Sequence, residues 1–290
     1  MEYHQDRFED FSLMVFKNKK LIAILPANKL GGTVYSHQGL TYGGLVLPKD
    51  VKFEVVLNAF KEVLKFLCVR QIGTLVLKQM PSIYYILPTD EIQYLMFILK
   101  AKLVRRDSLS VIDLNEKLKI SGNRMEGIKR AKNLRLTIKE EQTFDDFWNE
   151  ILIPNLQERH GVKPVHSLEE ITWLKKHFPD NIRQFNVYNE DKIVAGTTIF
   201  ETKNVAHSQY ISGNNDKNQL GSLDVLHIHL INHMFKSKKF FDFGISNENE
   251  GKQINKGLQF WKEGFGARTI TQDFYELKTE NYQKSDTVFI

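Results

Sequence analysis

The sequence predicts an α/β protein, of the α+β kind, in which mixed and mostly antiparallel sheets are flanked by helices. Two observations lead to this prediction. Segments with the alternating apolar pattern of strands take turns along the chain with segments of helical spacing. Both halves of the chain also show one order of elements: hairpin, strand, helix, strand, helix, strand. The residues themselves do not repeat, so the pattern indicates a duplicated architecture.

In the first half, the predicted hairpin joins strands at 11–16 and 21–27 through Asn18-Lys19-Lys20. The later predicted elements are a strand at 42–47, a helix at 51–69, a strand at 74–77, a helix at 91–103 and a strand at 108–114. The helix at 51–69 has a clear pattern, because apolar residues such as Val56, Phe60 and Val63 recur at helical spacing.

In the second half, the predicted elements are a hairpin at 182–188 and 192–201, strands at 205–211, 240–243 and 268–275, and helices at 222–236 and 251–264. A strand at 135–139 and helices at 144–160 and 168–177 come before them. Ser167 and Glu170 have the spacing of a capping box, in which each residue satisfies a backbone N–H of the other. The second half therefore reads β-α-α-β-β-β-α-β-α-β.

The composition is that of an ordinary soluble globular protein. The chain has 290 residues, of which 42% are hydrophobic and 26% are charged, enough for one large domain or two ordinary ones. Its single cysteine, Cys68, rules out a disulfide framework within one chain. No apolar stretch approaches the roughly 20 residues of a membrane span, and the N-terminus lacks a signal-peptide pattern. We therefore predict a cytoplasmic protein.

The C-terminal part carries the motif with the most specific pattern. Residues 240–244 read Phe-Phe-Asp-Phe-Gly, and residues 257–266 read Gly-Leu-Gln-Phe-Trp-Lys-Glu-Gly-Phe-Gly. Together they resemble the FemAB family of peptidoglycan-bridge enzymes, which belong to the GNAT superfamily of acyltransferases. In that family a helix with a Gly-Leu-x-x-Phe-Lys-x-x-Phe-Gly pattern follows an Asp-Phe-Gly-like strand end. Trp261 stands where the family often has Phe.

The resemblance implies two tandem GNAT-like domains with a cleft between them. We place an abbreviated N-terminal domain at 1–115, abbreviated by nature or by truncation at Met1, and a C-terminal domain at 116–290. In GNAT domains the fourth strand splays from the fifth, and a helix N-terminus between them receives the pyrophosphate of the acyl donor. The resemblance also assigns Lys262 a catalytic role and places Trp261 beside the substrate. A cation suits this place, because attack on an ester or thioester builds negative charge on the carbonyl oxygen.

The loop at 212–222 is the candidate binding site for the donor phosphates. It offers Lys217, Gln219, Gly221 and Ser222, and Ser222 has the residue type of a helix N-cap. The loop departs from the Gln/Arg-x-x-Gly-x-Gly/Ala pattern of GNAT enzymes. An ordinary polar loop before a capped helix is therefore the alternative. We expect no tightly bound cofactor and no metal, with acyl-CoA as a co-substrate.

Further candidate substrate-binding residues come from two basic segments. Residues 117–139 hold eight basic residues and one acid, and Arg124 and Lys129 are the candidates to grip phosphates. A solvated basic helix face is the alternative. Residues 157–166 contribute Arg159, His160 and His166, for which capping of a helix C-terminus by cations is the alternative.

Two more segments add polar candidates. Residues 35–44 form a glycine-rich stretch that resembles the loop bordering the substrate site of the first Fem domain, with His37, Tyr42, Gly43 and Gly44 as candidates. A tight turn into a strand is the alternative. On the strand at 205–211, alternation places His207 and Gln209 on one face and Ser208 and Tyr210 on the other, and either pair could line the cleft. Tyr210 is the candidate substrate-binding residue.

These observations predict an acyltransferase that moves an acyl group, acetyl from acyl-CoA in our reading, to an amine on a cell-envelope sugar or a peptidoglycan or polysaccharide precursor. One alternative is an aminoacyl-tRNA-dependent ligase, which the absence of a long helical arm disfavours. Another is a catalytically silent binding protein. The formal charge of +5 permits an anionic partner, such as a nucleotide, CoA, tRNA or a lipid phosphate, but does not require one. We expect no DNA and no membrane span, and peripheral contact with a lipid-linked substrate is compatible with the sequence.

Overall fold

A computed structural model of the protein describes His4 and residues 6–290, and it divides into two compact units. The first unit runs to Asp107 and adds 249–253 and 271–290, whereas the second comprises 108–248 and 254–270. The end of the chain joins the first unit because Leu277 pairs with Leu75 and both are fully buried in its core. Both compact units are therefore discontinuous in the sequence. The domain boundary at 115/116 stays a prediction.

The helices and strands follow in chain order. They are β1 (Glu9–Asp10), β2 (Leu13–Lys17), β3 (Lys20–Leu25), β4 (Asn28–Leu30), β5 (Thr33–Tyr35), α1 (Phe53–Val69), β6 (Thr74–Lys78), α2 (Glu91–Ile98), β7 (Lys102–Asp113), α3 (Gly122–Asn133), β8 (Thr137–Glu141), α4 (Ile153–His160), α5 (Leu168–His177), β9 (Ile182–Asn189), β10 (Lys192–Glu201), β11 (Val205–Gly213), α6 (Lys217–Leu220), α7 (Ser222–His229), β12 (Phe240–Ile245), β13 (Asn247–Glu248), β14 (Gln253–Ile254), α8 (Lys256–Glu263) and β15 (Arg268–Lys278). Phe147–Leu152 and Leu230–Met234 are π-helical, and Ser82–Tyr84 and Thr279–Thr287 are 3₁₀-helical.

In the first unit, strands run in the order β1-β4-β5-β6-β15, with β5 and β6 parallel and the β2–β3 hairpin separate. Helix α1 connects β5 to β6 and buries its apolar face in the core, where Phe60, Leu64 and Leu67 are fully buried. The predicted helix at 91–103 is shorter than expected, because Lys100 adopts a left-handed φ of 53° that ends it.

The predicted strand at 42–47 is wrong. The segment makes two isolated bridges, from Gly43 to Gln79 and from Val46 to Ile24, and β5 is the parallel neighbour of β6. Gly44 has a φ of 98°, which a regular strand does not allow. The apolar pattern that suggested a strand belongs instead to residues that line a cavity described below.

In the second unit, the strand order is β7-β12-β11-β10-β9-β8, and β11 and β12 are its parallel pair. The remaining pairs from β12 to β7 and from β8 to β11 are antiparallel. Helix α7 connects the parallel strands, as α1 does in the first unit. Each unit thus contains a mixed and mostly antiparallel sheet with flanking helices, which confirms the predicted fold class.

Sequence expectations for the second unit largely match the observed elements. The Ser167–Glu170 capping box is present in both directions. The predicted helix at 251–264 begins only at Lys256, because β13 and β14 pair first and Gly251 has a φ of 87°. Across the part of the chain that the structure describes, no helix combines the length and apolarity needed to cross a membrane.

Candidate active site

The candidate active site lies where the two parallel strands of the second unit part. Their pairing runs from Val205 opposite Phe240 to His207 opposite Asp242 and then stops, although β11 continues to Gly213. On the other side of β11, the register with β10 shifts and leaves Gln209 as an extra residue. The parting of the two strands corresponds to the splay that the resemblance to GNAT domains implies. The bulge beside it leaves backbone groups outside the regular ladder.

His207 and Asp242 form a buried pair at the point of separation. The Nδ1 atom of His207 lies 2.9 Å from Oδ2 of Asp242, whose side chain is fully buried. The other carboxylate oxygen, Oδ1, accepts a hydrogen bond of 2.7 Å from the backbone N–H of Gly244. A carboxylate oxygen accepts, so Nδ1 of the imidazole is the donor to Asp242, and Nε2 is the ring nitrogen that remains for another partner. Among the described residues, nothing occupies Nε2 of His207.

Gly244 is required at this place for two reasons. Its φ of 70° is left-handed, and a Cβ there would lie 3.3 Å from Cε1 of His207. The glycine therefore allows the backbone to turn against the imidazole ring while its N–H reaches Asp242.

Lys262 approaches the same turn from α8. Its Nζ donates hydrogen bonds to the backbone carbonyls of Gly244 (3.0 Å) and Ile245 (2.7 Å), and the residue is 2% exposed. Burial lowers the pKa of Lys262 to about 8, and nearby Asp242 counters part of that effect. An ammonium group has three donors, of which two are used here. Lys256 on the same helix is exposed, so α8 directs Lys262 inward specifically.

The arrangement combines a proton acceptor and a proton donor around one carboxylate. Asp242 contacts His207 directly and acts on Lys262 through its charge. Lys262 was a sequence prediction, whereas His207 and Asp242 were not predicted as site residues. Asp242 was part of the motif at 240–244, and His207 lay on one of the two strand faces that were alternatives for lining the cleft. The sequence alone gives no signal for their pairing, because it depends on the register of two strands that a helix separates in the chain.

His166 and Tyr210, both predicted to bind substrate, meet each other in the structure. Nδ1 of His166 lies 2.6 Å from the Tyr210 hydroxyl, which also accepts the backbone N–H of His166 at 3.1 Å. The backbone carbonyl of His166 accepts a hydrogen bond of 3.3 Å from Nε1 of Trp148. Both predicted residues are buried, so they fix the segment before α5 against β11.

Arg124 and Trp261 meet on Asp224. Nη1 of Arg124 and Nε1 of Trp261 lie 2.6 Å and 3.0 Å from the same carboxylate oxygen. Burial raises the pKa of Asp224, and Arg124 opposes that shift. Gly127 of α3 lies directly against this side chain, since a Cβ there would meet Oδ2 at 1.9 Å. These contacts attach α3 and α8 to the first turn of α7.

The expected N-cap at Ser222 is wrong. Gly221 is the N-cap of α7, with a φ of 66°, and a Cβ on it would lie 2.0 Å from the Gly127 carbonyl oxygen. The Ser222 hydroxyl is buried without a hydrogen-bond partner. Helix α3 thus covers the start of α7. Lys217 and Gln219 lie on the more accessible turn of α6, and all four residues stay predictions as donor contacts.

The other basic candidates lie on the surface of the second unit. Lys129 and Arg159 are exposed. Arg159 lies near Lys217. Burial lowers the pKa of Lys217, and the positive charge of Arg159 lowers it further. The side chain of His160 falls outside the described residues.

The candidates of the first unit surround the segment after β5. His37 accepts a 3.2 Å hydrogen bond from Gly39 N–H at Nδ1, and burial together with His4 lowers its pKa to about 4. The Tyr42 ring lies 4.4 Å from that of Tyr84, centroid to centroid. At Gly43 a Cβ would meet the Ser36 carbonyl oxygen at 1.8 Å, so its role in packing is established.

Comparisons with known proteins concern the fold. A family model described as an acetyltransferase (GNAT) domain matches residues 121–253. FemX has a similar structure, with a TM-score of 0.65 and 9% identity over 92% of this chain and 88% of that chain. L-PGS from Bacillus licheniformis gives 0.60 and 14%, over 92% and 84% of the two chains. A conserved protein of unknown function from Bacteroides thetaiotaomicron VPI-5482 gives 0.63 and 11%, over 92% and 86%.

No curated protein matches the sequence. The likeness to the solved structures therefore concerns the fold, and the match to the family model concerns the second unit. Two tandem domains are consistent with neighbours that cover nearly the whole chain. Residues 121–253 form a GNAT-type domain, and the chain has a GNAT/FemAB-like fold.

Proposed function

We propose that the protein is an acyltransferase that moves an acyl group, acetyl from acyl-CoA, to an amine on a cell-envelope sugar or a peptidoglycan or polysaccharide precursor. The observation that supports this proposal most strongly is the His207–Asp242–Lys262 arrangement at the parting strands. The resemblance to FemAB enzymes supports the envelope acceptor.

In the proposed reaction, the amine nitrogen attacks the carbonyl carbon of the thioester. Nε2 of His207 accepts the proton that the amine loses, and Asp242 stabilises the imidazolium. The remaining N–H of Lys262 donates to the oxyanion that forms on the carbonyl oxygen. The C–S bond then breaks, and the leaving thiolate takes up the proton from His207. The products are an amide and a free thiol.

One observation favours a second donor, aminoacyl-tRNA. The start of α7, where a GNAT enzyme receives the donor pyrophosphate, is covered by α3 at Gly127 and Gly221. An aminoacyl ester places no pyrophosphate there, and the same His207 and Lys262 chemistry applies to an ester carbonyl.

A transfer assay tests both donors. The protein is incubated with radiolabelled acetyl-CoA, and separately with aminoacyl-tRNA, in the presence of amino-sugar nucleotides and peptidoglycan precursors. We expect label in the acceptor with one donor, and loss of transfer in Lys262→Met but not in Lys256→Met. Transfer that Lys262→Met leaves unchanged would contradict the assigned chemistry. No saturable binding of either donor would instead favour a silent binding protein.

A further inference from the structure

A cavity of about 270 Å³ lies in the first unit, between the segment after Tyr42 and the loop that leads into α2. This volume is near the lower end of the range for small-molecule sites, about 300 Å³. Gly43 and Gly44 form part of its wall, which places two predicted substrate-binding residues beside it. The transfer chemistry above does not require this cavity.

The wall is largely aliphatic. Its apolar lining includes Leu45, Leu47, Val51, Leu77, Met80 and Ile92. Two of the polar groups nearby are used within the protein. The Tyr85 hydroxyl donates to the Met80 carbonyl at 2.9 Å, and Gly43 N–H donates to the Lys78 carbonyl at 3.0 Å. A wall of this kind selects a ligand by apolar contact.

Gln79 is the exception on the wall. Its side-chain oxygen is buried and has no hydrogen-bond partner among the residues that the structure describes, while its amide nitrogen lies 3.4 Å from the Tyr85 hydroxyl. A buried acceptor without a donor destabilises a protein by about 1–3 kcal/mol, so such an atom calls for an explanation. A ligand with an N–H or O–H group near this wall would supply the donor after a small rotation of the side chain.

The apolar surface continues outward from the cavity. Val46, Ile86 and Leu87 line it and are 50%, 54% and 53% exposed. A compact ring would fill the interior and leave this surface in contact with water. A longer, flexible chain would cover both the interior and these three residues.

We propose that the first unit binds a single alkyl chain in this cavity, carried by an amphiphile whose head group has an N–H or O–H donor. The chain contacts the aliphatic wall and the three exposed residues, and the donor meets Gln79. The proposal concerns binding alone, so it stands or falls independently of acyl transfer.

Isothermal titration of the full chain with hexylamine, octylamine and decylamine, below their micellar concentrations, tests the proposal. Each added methylene should tighten binding about threefold to fourfold. Decyltrimethylammonium has the same charge and chain but no N–H, and it should bind about twofold to tenfold more weakly than decylamine. Binding only at micellar concentrations, or an affinity independent of chain length, would overturn the alkyl site. Equal binding of the two decyl compounds would overturn the donor at Gln79.

Two variants locate the binding. Met80→Trp fills the cavity and should weaken the binding of decylamine at least tenfold. Met14→Trp, at a residue on β2 that is 66% exposed, should leave this binding unchanged. Equal affinity of the two variants would refute the location. If Met80→Trp does not fold, Ile86→Ser/Leu87→Ser provides the test, because both residues are largely exposed. This double variant should reduce the increase in affinity between octylamine and decylamine. An unchanged increase would refute contact between the alkyl chain and the exposed residues.

Discussion

Replacement of Lys262 by methionine separates the electrostatic cost of this buried lysine from its hydrogen bonds. Methionine has a similar length and no charge. It removes the ammonium group that burial holds at a pKa of about 8, and it leaves the Gly244 and Ile245 carbonyls without their donor. Because the cost of the charge depends on pH and the cost of the lost hydrogen bonds does not, a pH series resolves the two.

The size of the effect follows from the pKa of Lys262. A fall from 10.5 to about 8, at about 1.4 kcal/mol per pH unit, corresponds to at most about 3 kcal/mol. Below pH 8 the folded and unfolded states both carry the proton, and the folded state bears the full penalty. Between pH 8 and 10.5 Lys262 keeps its proton only in the unfolded state, so the free energy of unfolding of the native protein rises with pH. Near neutral pH, Lys262→Met relieves the penalty of the buried charge. It also leaves two carbonyls unsatisfied, at about 1–3 kcal/mol each, and this loss offsets the stabilisation.

Urea unfolding at pH 7, 8, 9 and 10, followed by tryptophan fluorescence, measures this difference. All three tryptophans lie in the second unit, so the signal reports on the surroundings of Lys262. The native protein should gain up to about 3 kcal/mol relative to Lys262→Met as pH rises towards 10.5. Burial also lowers the pKa of Lys78 to about 8. Lys78 is present in both proteins, so its contribution to the pH dependence cancels in the difference.

The exposed Lys256 supplies the control. Lys256→Met should follow the native protein at every pH, because Lys256 is exposed and its replacement removes no buried charge and no buried hydrogen bond. If the unfolding free energies of the native protein and Lys262→Met change in parallel with pH, burial does not lower the pKa of Lys262. Such a result would also remove the physical basis for treating it as a cation of lowered pKa in catalysis.

Three other predictions follow from the same contacts. His207→Gln should lower kcat about 10²- to 10⁴-fold in the transfer assay while circular dichroism stays unchanged, because it removes the proton acceptor; a normal kcat would exclude that role. Transfer should decline above about pH 8 as Lys262 loses its proton, and a rate that stays constant to pH 10 would contradict this. Gly221→Ala should cost more than about 2 kcal/mol of unfolding free energy, against about 1 kcal/mol for Gly161→Ala. Both glycines are left-handed, but only Gly221 lies against other backbone, so equal losses would refute the close contact.

The sequence predicts those elements of the fold whose patterns are local. Strand alternation locates β9, β10 and β11, and helical spacing locates α1, because each pattern reports the face that the element itself buries. The strand expected at 42–47 fails for a non-local reason. Its apolar residues line a cavity, and the left-handed Gly44 interrupts the extended backbone.

The same distinction separates the predicted and the missed parts of the site. Lys262 lies in a continuous motif and can be found by resemblance. The N-cap of α7 depends on Gly127, 94 positions before Gly221 in the sequence, and residue preference at Ser222 does not reveal that contact. The pair formed by His207 and Asp242 depends on the register of two strands that are joined through a helix.

The burial of Asp242 is the strongest argument that this region does more than hold the fold together. Removing a carboxylate from water costs several kcal/mol even when it is paired, and apolar residues often stabilise such a place as well or better. Here the carboxylate has a hydrogen bond from His207 and another from the backbone of Gly244, a glycine whose left-handed φ is itself specialised. Lys262 adds a second buried charge nearby. The proposed acyl transfer would give these costs a reason, because that reaction needs an imidazole nitrogen and a cation held in fixed positions before the substrate arrives.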